Sequence, residues 1–139
     1  MKKKRVIIVI LLIIITIAGI IIIPPLVNPL RGTNKSIRKS VLSIIPIGTS
    51  MEDVIKIAEE KWGIRYIDDY GLYVIDDKPA RHLPINPQEA VGIIIGKKRI
   101  EVRLGEYYSP FKTTVLVFFA FNENDKLIDV FILKETDAM

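Results

Sequence analysis

The chain has 139 residues, one histidine and no cysteine, with 20 Lys or Arg against 16 Asp or Glu for a formal charge of +4. These counts exclude disulfides, a thiolate metal site, an acylated lipoprotein N-terminus and any centre that needs two histidines from one chain. The excess charge belongs to Lys2, Lys3, Lys4 and Arg5 alone. Residues 24–139 hold sixteen charges of each sign, so the basic isoelectric point lends no support to nucleic-acid binding.

Beyond that basic tail, residues 6–23 carry no charge, and fifteen of these eighteen are Ile, Leu or Val. As a helix the run reaches about 27 Å at about 1.5 Å per residue, close to the thickness of a bilayer core. Its summed insertion preference is about 6 kcal/mol. It ends on Ile21, Ile22 and Ile23 followed by Pro24 and Pro25, without the small residues of a signal-peptide cleavage site. The expectation is an uncleaved transmembrane anchor at 6–23, in contact with membrane lipid, with 1–5 as a basic tail. Lys2 to Arg5 flank one end, and Arg31, Lys35, Arg38 and Lys39 lie beyond the other. The first cluster abuts the apolar run, which favours a cytoplasmic N-terminus in a single-pass cell-membrane protein with its domain outside. The second cluster is a candidate membrane-surface collar for anionic headgroups, or an ordinary solvated helix face.

Pro24, Pro25, Pro29 and Gly32 predict a stiff linker over 24–33, because each proline lacks a backbone donor. What remains, 34–139, is enough for one core. Ile37, Val41, Ile44 and Ile45 follow the spacing of an amphipathic helix, ended by Pro46. Thr49 or Ser50 can cap a second helix, with Glu52 or Asp53 near its start, Val54, Ile57, Ala58 and Trp62 on its apolar stripe, and Gly63 as its stop.

The period then falls to two. Residues 64–69 and 71–75 read as strands joined by a turn at Asp69, Tyr70 and Gly71. A polar loop with Pro79, Pro84 and Pro87 is expected over 76–90, and Val91 to Ile95 can add a strand. Ile100, Val102 and Leu104 alternate with Arg99, Glu101 and Arg103, which suggests one wet face. Residues 113–122 form the strongest strand, paired with 127–134 across Asn122 to Lys126. The predicted fold is α+β: an N-terminal transmembrane helix, then a helical hairpin packed on an antiparallel β-sheet.

Gly48, Thr49, Ser50, Met51, Glu52, Asp53 and Val54 have the form G-x-[ST]-x-x-x-V at the start of the second helix, ahead of a strand meander. The chain in this respect resembles the BamE/SmpA/OmlA-like, beta-lactamase-inhibitor-protein-like superfamily over about residues 36–137. It is also similar to small membrane-anchored proteins of Gram-positive bacteria around Leu104-Gly105-Glu106-Tyr107 and Lys134-Glu135-Thr136-Asp137. The resemblance implies a helical hairpin on one face of an antiparallel sheet. Members that assemble outer membranes are lipoproteins, and a chain without cysteine departs from them, so neither their role nor their site residues carry over.

Catalytic and cofactor signals are thin. His82, among prolines and Arg81, reads as a solvated loop residue. Asp68 and Asp69, as strand neighbours, point to opposite faces. Asn122, Asn124 and Asp125 begin like a calcium loop but lack its later Gly and Glu, and a hairpin turn explains them. No catalysis, metal or cofactor is expected.

The last two strands are apolar on both faces. Val115, Val117, Phe119 and Phe121 oppose Leu116, Phe118 and Ala120, and Leu127, Phe131 and Leu133 oppose Ile128, Val130 and Ile132. Two helices shield one face. The other calls for the 76–90 loop, the membrane surface or a partner. Leu116, Phe118 and Val130, with Tyr107, Tyr108 and Phe111 near a strand end, are therefore candidate contacts for a neighbouring envelope protein. The reading is an anchored binding module. Its rivals are an enzyme or ligand receptor using 76–90 as a lid with Asp76, Asp77, Arg81 and His82, and a protein inhibitor or immunity-type factor.

Overall fold

The computed structural model describes residues 2–81 and 92–137, with the side chains of 2–5, 20–27 and 65 left out. The chain divides into two compact units, Met1–Gly32 and Thr33–Met139. The first contains helix α1, Lys2–Val27, and a 3-10 turn, Pro29–Arg31, whose cap Asn28 accepts a hydrogen bond from the Leu30 amide at 3.1 Å. The helix therefore extends into the expected linker. Proline's fixed φ near −65° is itself a helical value, so Pro24 and Pro25 do not end it.

Among the described residues, no helix is long and apolar enough to cross a membrane. This overturns the anchor expected at 6–23, the transmembrane part of the fold class, and the single-pass cell-membrane location with a cytoplasmic N-terminus and an outside domain.

The second unit is α+β. Thr33 caps α2, Asn34–Ile44, by accepting from the Ser36 amide. Ser50 caps α3, Met51–Lys61, by accepting from the Asp53 amide while its hydroxyl donates to the Asp53 carboxylate at 2.6 Å. Such a cap meets amides that have no partner inside the helix. At the other end Gly63, with φ +81°, donates to Ala58 O, a conformation that a side chain would strain.

Among the described residues, seven strands follow: β1 Ile64–Asp68, β2 Leu72–Ile75, β3 Lys78–Ala80, β4 Ile93–Ile95, β5 Lys98–Tyr108, β6 Lys112–Phe121 and β7 Leu127–Thr136. They make two antiparallel sheets, a larger one in the order β1-β5-β6-β7 and a smaller one in the order β3-β2-β4. The turn expected to pair β1 with β2 instead carries the chain from one sheet to the other, and the chain returns at Gly96. Closeness at this crossing requires glycine: a Cβ on Gly71 would lie 2.4 Å from Gly96 O.

Part of the expected 76–90 loop is strand. Asp76 and Asp77, at φ +48° and +60°, form the two-residue turn between β2 and β3, a left-handed pair that suits hairpin twist and that Asp tolerates. Between β6 and β7, Asn122 Oδ1 accepts from the amides of Asn124 and Lys126, both at 3.0 Å. Asp125 there has φ +56°. These residues build a hairpin turn.

Helix α2 packs on β7 and α3 on β1, so the helical pair spans the larger sheet. Ile37, Val41, Ile45, Val54 and Ala58 are buried there with Ile100, Val102, Val115, Val117, Phe119 and Val130. On the opposite face Leu72 and Val74 of β2 pack on Leu116, Phe118 and Ala120, joined by Ile95, Phe131 and Leu133. The second apolar face is thus covered from within the chain. The register shifts between Ala120 and Phe121, where Phe121 pairs with Leu127 and Phe119 with Val130. Ile128 is the extra residue of this bulge. Leu127 consequently joins Val130 and Ile132 on the helix face, opposite to the side that simple alternation predicts.

Candidate functional site

The sequence-derived partner residues separate into two groups. Leu116, Phe118 and Val130 are each 0% exposed, so none is a surface contact in the folded unit. Tyr108 and Phe111, at 62% and 44%, sit at the tip of the β5–β6 hairpin. There Tyr108 pairs with Lys112 and the Ser109 amide donates to Phe111 O at 2.9 Å. Tyr107 is half-buried one residue earlier and points to the other face, where Lys134 Nζ lies 5.4 Å from its ring centroid, a cation–π arrangement. Glu106 bridges Arg103 and Lys112, the latter at 3.1 Å. Exposed pairs of this kind stabilise little, about 0–1 kcal/mol. They do keep the polar side chains at the hairpin's base paired, and they leave aromatic surface at its end.

A second polar region lies between the two sheets. Arg81, just past β3, reaches Glu101 on β5 at 3.0 Å and Glu135 on β7 at 3.0 Å. Arg99 pairs with Asp68 at 3.2 Å and donates to Ala80 O and Arg81 O, at 3.2 and 2.8 Å. Glu101 is only 5% exposed, so the face expected to be wet is closed at Glu101 and open at Arg103. Burial works against the Arg81 charge, but the hydrogen bonds and fields of Glu101 and Glu135 outweigh it and raise its pKa. Both arginines are thereby committed to holding β3 on the larger sheet.

Of the residues in the lid reading, Asp76, Asp77 and Arg81 are among the described residues. Asp76 and Asp77 are exposed in a tight turn, separated from Arg81 by the length of β3, about 10 Å at about 3.3 Å per residue. Arg81 is bound to two carboxylates, and His82 lies outside the described residues. Asp76 and Asp77 do not converge with Arg81 on one site. Among the described residues, no group of three or more His, Cys, Asp or Glu could hold a metal ion.

The four basic residues beyond the apolar run also part company. Arg31 belongs to the first unit and Lys35, Arg38 and Lys39 to the second. Lys35 and Lys39 are exposed on α2. Arg38 instead donates from Nε to Val130 O at 2.8 Å and pairs with Asp129 at 2.8 Å, while Asn34 donates to Ile132 O at 3.3 Å. Together with Gly48 and Thr49, which bond the backbone of Leu127, these side chains occupy much of the outer edge of β7, where an open row of amides and carbonyls would invite another strand. Asn34, Lys35, Arg38, Asp77 and Asp129 line an open groove of about 340 Å³ above β7. Its charges are mixed, and Arg38 and Asp129 satisfy one another.

The ion cluster and the capped edge were not foreseen from sequence. The alternation of Arg99, Glu101 and Arg103 was visible, but an exposed and a buried row of charges look the same in one dimension. Compared with protein families, with curated proteins and with solved structures, the chain matches none.

Proposed function

We propose that the Thr33–Met139 unit is a protein-interaction module that works by binding and not by catalysis, with the β5–β6 hairpin tip as its contact. One observation carries this reading: Tyr108 and Phe111 stand exposed together at a strand end, while the apolar faces of β6 are closed. Aromatic side chains bring large contact area and few rotamers to lose, which is why they anchor interfaces. Kinship with the BamE-like superfamily is a compatible proposal, supported by a helical pair lying across an antiparallel sheet.

The test is site-specific photo-crosslinking of the full chain in its native cells, with the crosslinker at Tyr108, at Phe111 and, for comparison, at exposed Lys39. A discrete adduct from the two tip positions, lost on adding an excess of unlabelled wild-type chain and retained when the competitor is Y108A/F111A, is the expected result. Adducts equally frequent from Lys39, or none from the tip, would overturn the proposal.

A further inference from the structure

We draw no further inference here: the strongest candidate, the open β1 edge of the larger sheet with exposed Tyr66 and Ile67 beside Tyr70, is an unpartnered apolar edge, and nothing in the structure shows what covers it.

Discussion

The two faces of β6 are equally apolar in sequence but are closed by different means. On one, α2 and α3 bury Ile37, Val41, Val54 and Ala58, and two helices of about 10 Å diameter match the width of a four-stranded sheet at about 4.8 Å per strand. On the other, three short strands cover about 14 Å by the same spacing. The strip left over is filled by Arg81, Arg99, Glu101 and Glu135. A cover narrower than the sheet leaves polar margins under protein, and buried charges there persist only in pairs with their hydrogen bonds made.

The largest test of this contrast replaces one phenylalanine on each face. Phe118 and Phe119 are both 0% exposed, so Phe118→Ala and Phe119→Ala should each destabilise the unit by about 3–5 kcal/mol in chemical denaturation. Phe118→Lys, which would leave a surface residue's fold intact, should instead prevent folding by burying an unpaired charge. A loss under about 1 kcal/mol for Phe118→Ala would mean that β2 to β4 do not seal their face.

Next in size is the ion cluster. Arg81→Ala leaves Glu101 buried without its guanidinium and should cost about 3 kcal/mol. Glu135→Ala removes a partner whose side chain is 35% exposed, and should cost under about 1 kcal/mol. Equal losses would show that Glu101 is not shielded from water. The raised Arg81 pKa also fixes a sign: its stabilisation is complete below the unfolded arginine pKa and is lost only as pH rises through the still higher folded value. The difference between wild type and Arg81→Ala arising from this group should therefore stay flat from about pH 7 to about pH 9. A decline across that range would reject the pairing.

Helix caps come third, and they sharpen the view of the helix-covered face. Ser50→Ala removes the acceptor for the Asp53 amide and should lower stability by about 1 kcal/mol, with Ser50→Gly closer to wild type. No change for Ser50→Ala would imply that Asp53 and water satisfy that helix end unaided.

The helix side was the more legible of the two faces. Apolar spacing locates α2 and α3, Thr49 or Ser50 and Gly63 mark the ends of α3, of which Ser50 is the cap, and uninterrupted apolar runs locate β6 and β7. Pairing was harder, because local pattern does not say which distant strand completes a sheet. Residues 64–75 looked like a hairpin, whereas β1 joins β5 and β2 joins β3 and β4. Pro79 made β3 read as loop, although an edge position tolerates proline. The bulge at Ile128 has no signature in alternation, and it reverses the side on which Leu127 lies. Of the candidate contacts, Leu116 and Phe118 lie under strands whose segments read as loop or as a separate hairpin, whereas Val130, paired with Phe119, lies on the helix face. The apolar run at 6–23 reads as a span, whereas among the described residues no helix is long and apolar enough to cross a membrane.

The smallest expected effect on stability belongs to the hairpin tip. Tyr108 and Phe111 are exposed, so truncating them forfeits little burial, and Y108A/F111A should stay within about 0.5 kcal/mol of wild type. A surface that is conspicuous by chemistry and nearly silent in folding is what a contact residue requires, because its interaction energy is realised only on association. If the double variant instead loses about 2 kcal/mol or more, the aromatics are part of the domain's packing and the tip ceases to be its binding surface. If stability holds while the Tyr108-dependent adduct disappears, the two properties separate, and the closed faces of β6 and the aromatic tip have distinct roles in one small unit.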